Sequence, residues 1–166
     1  GLLERGLGRA WMADKEKGAN TLTIGTGHAI DVVCFCVAEF REVSARSMTQ
    51  VPIWQTDGSH EAVTVTSPDN VMVNGILTNG AAASIHIATV PSHGTGWRME
   101  VYGREGTLVA SSPEMVQYSQ IRLLGAQYKD RKLRELSIPD RLKTVPETVP
   151  QGQPFNVAQL YHRLSQ

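Results

Sequence analysis

The chain has 166 residues, 41% of them apolar and 19% charged, which is the balance of an ordinary globular protein long enough to bury a core. Sixteen basic residues cancel sixteen acidic ones, so neither nucleic acid nor an anionic membrane surface is expected as a partner. No stretch reaches the roughly 18 apolar residues of a membrane span, and GLLERGLGRAW has no sustained apolar core of a leader.

Residues 1–17 read as a lead-in. Leu2, Leu3 and Leu7 form half of an amphipathic turn, and Trp11 and Met12 are apolar anchors ahead of Asp14-Lys15-Glu16-Lys17. From Gly18 to Phe40 runs the longest apolar segment with helical spacing, which predicts a helix ending near Glu39. Ile30, Val33, Cys34 and Val37 share one face; His28, Asp31 and Phe35 share a neighbouring one. Residues three apart on a helix are close, so Asp31 is placed to orient the His28 ring or fix its tautomer. Gly25 and Gly27 leave bare backbone on either side of Thr26, which lets a ligand come near His28. The same pattern also fits a plain helix start with a satisfied histidine. Cys34 and Cys36, two positions apart, point to nearly opposite sides of the helix. Neither a local disulfide nor a shared metal is expected, and free thiols fit a reducing cytoplasm.

Beyond the helix the period changes to two. Glu42–Met48 reads as a half-buried strand ended by Pro52, Thr56-Asp57-Gly58-Ser59 as a turn, and Ala62–Thr66 as a short edge strand. Asn70–Thr78 and Ala81–Val90 flank Asn79-Gly80, the strongest short hairpin signal, and predict a type I′ turn with positive φ at both central residues. Apolar residues fall on both faces of this hairpin, Val71, Val73 and Leu77 against Met72 and Ile76. That predicts a sheet face left over for a second copy of the chain. Residues 91–96 read as loop, and Arg98–Tyr102, Thr107–Ala110, Met115–Leu124 and Leu133–Ile138 as further strands. Pro139 opens a helical turn through Leu142, residues 144–154 are loop, and Phe155–Leu164 is a terminal helix with Val157, Leu160, Tyr161 and Leu164 on one face. The sum is one α+β domain over residues 1–166: a large, mostly antiparallel, open-faced sheet with helices on one face.

Gly18-Ala19-Asn20 through His28-Ala29-Ile30-Asp31 resembles the signature helix of the C-terminal domain of Gfo/Idh/MocA-type oxidoreductases, the family of glucose–fructose oxidoreductase and inositol dehydrogenase. The family pattern is a glycine-rich start followed by D-x-G-x-H-x-x-D. His28 stands at the histidine and Asp31 at the last aspartate, but Ile24 occupies the first aspartate position and Thr26 the motif glycine. Trp11 and Asp14 fall where the family often has W-x-x-D. Met99 to Leu108 resembles its E-V-x-G-x-E-G-x-L block, and Asn156 to Tyr161 its N-V-A-x-x-Y helix. For a full-length relative the resemblance implies hydride transfer between NAD or NADP and a sugar or polyol. His28 would take or give the hydroxyl proton, with Trp11, Gly27 and Asp31 binding substrate. It also implies pairing into a homodimer through a sheet face.

The resemblance further implies that this chain begins midway, without the Rossmann half that carries the cofactor and a catalytic lysine. Alone it is expected to bind no NAD(P) and to turn nothing over. After Gly6 and Gly8 the third position of a dinucleotide fingerprint is Trp11, after Gly25 and Gly27 it is Ile30, and after Gly94 and Gly96 it is Met99. No zinc spacing links His28, His60, His86, His93 and His162, and no G-x-S-x-G elbow occurs. A second reading is non-catalytic. Isoleucine at position 24 cannot hydrogen-bond to His28 or a substrate, and family members with a similar Thr-Ile-x-x-Gly-His pattern, such as the fungal galactose-pathway repressor, act as ligand-sensing regulators. A third is a purely structural, self-associating module.

Overall fold

The structure is a computed structural model that describes residues 4–89, 93–142, 144–146 and 148–166. Leu2 and Leu3 of the lead-in, Val90 at the end of the second hairpin strand and the start of the 91–96 loop lie outside the described residues. The chain forms two compact units, Gly1–His93 and Gly94–Gln166.

In the first unit, β1 (Glu4–Arg5) leads into a 3-10 segment, Leu7–Ala13, and a second short 3-10 turn, Lys15–Lys17. The long helix expected from Gly18 onward is two different helices. Thr21–Thr26 is a π-helix, and α1 is Gly27–Cys36. Asn20 begins the first through a reciprocal capping box: its side chain accepts from Leu22 and Thr23 N–H, and the Thr23 hydroxyl accepts from Asn20 N–H at 3.1 Å. The Thr26 hydroxyl then donates to the Thr21 carbonyl, five residues back, at 3.0 Å. The helix stops at Cys36 rather than near Glu39, because Phe40 is already paired with Leu77 in a strand.

β2 (Phe40–Met48), β3 (Ile53–Thr56), β4 (Ala62–Thr64), β5 (Asn70–Leu77) and β6 (Ala82–Ala88) complete the unit. β3 has no counterpart in the sequence reading. It is paired parallel to β1 and antiparallel to β4, while β2, β5 and β6 form a second, antiparallel sheet with β5 at the centre. α1 lays Ala29, with Ile30 and Val33 beside it, on Val71, Val73 and Ile85. Each fully buried valine or isoleucine contributes about 1.5–3 kcal/mol, so this seam fixes where α1 sits. A second cluster, Ala13, Trp54 and Val65, ties the lead-in to β3 and its surroundings.

The hairpin lies where the sequence puts it, but its turn is different. Leu77 N–H donates to the Ala81 carbonyl at 2.8 Å, leaving three loop residues rather than two. Gly80 N–H closes back on the Leu77 carbonyl, and Gly80 takes φ +86, whereas Asn79 does not adopt positive φ. This is a type I turn followed by a left-handed glycine, the usual solution for a three-residue loop. The Asn79 side chain accepts from Ala81 N–H at 3.0 Å.

The two faces of this sheet also differ more than the sequence pattern implies. Val71 and Val73 are buried under α1. On the other face Met72, Asn74 and Ile76 are flanked by Arg46, Ser44 and Glu42 on β2 and by His86, Ser84 and Ala82 on β6. On this face β5 contributes the half-buried Met72 and Ile76, and Met48, Ala82 and Ala88 are the apolar residues beside them.

The second unit is a four-stranded antiparallel meander of β7 (Trp97–Tyr102), β8 (Gly106–Ser112), β9 (Arg122–Gln127) and β10 (Arg134–Glu135). The strands expected at Met115–Leu124 and Leu133–Ile138 shrink to their paired parts. Tyr118 N–H turns back on the Met115 carbonyl and the Ser119 hydroxyl on Glu114, so residues 115–119 turn locally instead of extending the strand. α2 (Gln153–Leu164) starts with Pro154 in its first turn. Its Asn156 side chain donates to the Gln117 carbonyl at 3.0 Å, and Gln159 Nε2 donates to the Leu142 carbonyl at 3.2 Å. All its expected apolar residues, Val157, Leu160, Tyr161 and Leu164, are exposed. Helices are few, strands mostly antiparallel, and the α+β class is as the sequence indicates.

Candidate functional site

The two glycines before His28 do different jobs. A Cβ at Gly25 would sit 3.3 Å from Ile87 Cγ2, so this glycine lets the π-helix pack against β6. A Cβ at Gly27 would meet nothing within 4 Å. Gly27 alone leaves open space, at the start of α1 with φ −56 and ψ −50. A π-helical turn widens the helix and recurs at functional sites, and here it ends directly before the open position.

His28 follows in the first turn of α1 and is exposed, as are Asp31 and Phe35 further along. The buried Ala29 lies between them and the sheet, so the His28 face is the one turned away from the core. Among the described residues no hydrogen bond joins His28 to Asp31. Asp31 instead acts at a distance on the two thiols. Partial burial, then a hydrogen bond and negative charge from Glu39, hold Cys34 above the ordinary thiol pKa, and Asp31 adds to this. Loss of hydration, then Asp31, raises Cys36. Both cysteines are free, and as protonated thiols near neutral pH they make poor nucleophiles.

Trp11 is exposed on the 3-10 segment, its indole N–H donating to the Gly8 carbonyl at 3.0 Å. Ile24, at the position of the motif carboxylate, is 41% exposed on the π-helix. Of the sequence-derived site residues, Gly27, His28 and Asp31 are thus brought together on one helix. Two cavities of the first unit are lined by other residues, Asn20 among them. Among the described residues no cluster of three His, Cys, Asp or Glu is placed to hold a metal, and no helix is long and apolar enough to cross a membrane.

Residues 6–112 match the profile of the Gal80p C-terminal domain. The chain belongs to this family. Across 137 residues, 80% of this chain and 36% of the relative, it is 24% identical to an uncharacterized oxidoreductase of Synechocystis. Its fold is similar to that of the transcriptional regulator Gal80p from Kluyveromyces lactis, with a TM-score of 0.73 at 17% identity over 98% of this chain and 39% of that one. It is also similar to apo levoglucosan dehydrogenase, with a TM-score of 0.71 at 21% identity over 93% of this chain and 44% of that one. The chain therefore spans less than half the length of these relatives, and its fold is that of the C-terminal domain of Gfo/Idh/MocA-type oxidoreductases. Membership of the Gal80p C-terminal family covers the whole first unit from Gly6, including the π-helix and α1.

Proposed function

We propose that this chain is the substrate-binding half of an NAD(P)-dependent sugar or polyol oxidoreductase-like protein, with His28 as its proton-transfer group. The observation that carries the reading is the open face of α1. The sequence spends Gly25 on packing, keeps Gly27 clear, and presents His28 on a helix anchored through Ala29. A histidine at such a place can take a proton from a substrate hydroxyl or return it. Levoglucosan dehydrogenase, similar in fold, has been solved with NADH and levoglucosan, which supports the substrate class. The residues of this chain do not fit a dinucleotide cradle, since all three G-x-G pairs lack the third glycine. The cofactor is therefore assigned to another part of a longer protein.

The test is NAD⁺ and NADP⁺ reduction by that longer protein with levoglucosan, glucose and myo-inositol. His28→Ala is expected to lower kcat by about a hundredfold or more. Full activity in His28→Ala overturns the reading.

Ile24 favours a second reading, in which the protein senses such a ligand without turning it over. An isoleucine at the carboxylate position gives His28 no acceptor four residues earlier, and the family is the one named for Gal80p. Under this reading the wild-type protein binds sugar but reduces no cofactor. Measurable turnover by the wild type rules it out.

A further inference from the structure

α2 is an amphipathic helix seated with its more apolar face outward. Val157, Leu160, Tyr161 and Leu164 recur at helical spacing and are between 51% and 73% exposed. The opposite stripe, Phe155, Ala158, Gln159 and His162, is half-buried. A surface helix ordinarily buries its apolar stripe, yet no residue of α2 is buried. Polar groups do much of the seating. Asn156 Nδ2 donates to the Gln117 carbonyl at 3.0 Å, Gln159 Nε2 donates to the Leu142 carbonyl at 3.2 Å, and the Thr144 hydroxyl donates to Gln159 Oε1. The seat is also imperfect. Gln117 Oε1 is buried with no hydrogen-bond partner among the described residues, a costly arrangement in a settled contact. Leu142, beside α2 through its bond to Gln159, is exposed as well and widens the uncovered surface.

Size decides between the possible occupants. Twelve helical residues span about 18 Å. A free partner, or a second copy of the chain, needs roughly 800 Å² and 20–30 residues a side for a stable specific complex. Five side chains on and beside one short helix fall well short of that. A segment of the same polypeptide needs far less area, because the tether holds it at about millimolar effective concentration. In Gal80p, of which this chain covers 39%, the matched part is the C-terminal domain, so the larger part of that polypeptide precedes it.

We propose that the apolar face of α2 is an intramolecular docking surface, covered in the longer protein by the part of the polypeptide that precedes Gly1. The existence of that part rests on the reading under Proposed function; the surface rests on α2 itself. The contact ties the substrate-binding half to the half assigned the cofactor.

The experiment is photo-crosslinking in the longer protein, with benzoylphenylalanine placed by Tyr161→benzoylphenylalanine and, separately, by Leu164→benzoylphenylalanine. The same probe at Tyr128, an exposed side chain of the meander, is the control. The expected result is a product of monomer mass from at least one of the two α2 positions, whose crosslinked peptide maps ahead of Gly1, with no such product from Tyr128. A product of twice the monomer mass would give the face to a second copy and overturn the proposal. So would a crosslink into residues 1–166, no crosslink from either α2 position, or the same peptide captured equally from Tyr128. The readout does not depend on turnover. A missing crosslink beside an inactive His28→Ala therefore removes the docking surface alone, and a crosslink ahead of Gly1 beside a fully active His28→Ala removes the His28 reading alone.

Discussion

Gly75→Val is expected to cost the first unit on the order of 3 kcal/mol or more, the largest stability loss of any single substitution considered for this chain. Gly75 lies in the central strand β5, paired with Val43 next to the irregularity in β2 where the register shifts between Phe40 and Glu42. That shift brings the β2 backbone over Gly75. A Cβ there would strike the Glu42 carbonyl oxygen and come within 2.9 Å of Phe40 Cδ1. Phe40 is packed on the Ala29–Val71–Val73 cluster, so it cannot swing away without opening the seam that holds α1. β2 must then separate from β5, or the core must loosen. Urea unfolding followed by tryptophan fluorescence measures the loss, and Gly75→Ala should already show part of it. Gly27→Ala is the contrast. Its Cβ enters open space at helical φ and ψ, so it should be neutral or stabilising by up to about 1 kcal/mol. If Gly75→Val leaves the urea midpoint unchanged, the packing of β2 over β5 has been misread.

Asp69→Ala is expected to cost about 2–4 kcal/mol, because a buried carboxylate here organises three separate segments. Asp69 is 5% exposed. Its oxygens accept from Gln50 N–H at 2.9 and 3.0 Å, from Val51 N–H at 2.8 Å and from Asn70 Nδ2 at 3.2 Å. Its own N–H donates to the Met48 carbonyl, and its carbonyl accepts from Thr89 N–H. The residue therefore fastens the end of β2, the start of β5 and the segment after β6. Alanine keeps the main-chain bonds and leaves Gln50 and Val51 N–H without their carboxylate. Asp69→Asn retains one acceptor oxygen and should lose about half as much. Equal stability of wild type and Asp69→Ala, measured by the same urea titration, would show that water replaces the carboxylate at no cost.

What the sequence made legible follows from how local each signal is. Asn79-Gly80 announced the hairpin because two residues set it. The turn type was missed because it depends on Leu77 pairing with Ala81, a register that two residues cannot reveal. The α1 face is legible only in part: Ile30 and Val33 belong to the expected Ile30, Val33, Cys34 and Val37 stripe and pack on the core, whereas Ala29, the residue buried at its centre, is not in that stripe; the π-helix before it is not legible, since a five-residue hydrogen bond such as Thr26 to Thr21 leaves no distinct apolar period. β3 escaped notice because Ile53–Thr56 is short and its parallel partner is the distant Glu4–Arg5. His28, Gly27 and Asp31 are proposed from motif spacing. Asn20 and Asp69 are not, because their importance lies in burial and in donors contributed from far along the chain. Asn20 carried one usable signal, an N-capping residue with threonine three positions later.

The most direct measurement of the functional account is a crystal structure of the longer protein with a reduced nicotinamide cofactor and a sugar bound. The account predicts a His28 ring nitrogen about 2.6–3.2 Å from a sugar hydroxyl oxygen, with Gly27 backbone bordering the same space. A complex in which His28 faces solvent while the sugar meets the cofactor elsewhere would contradict it.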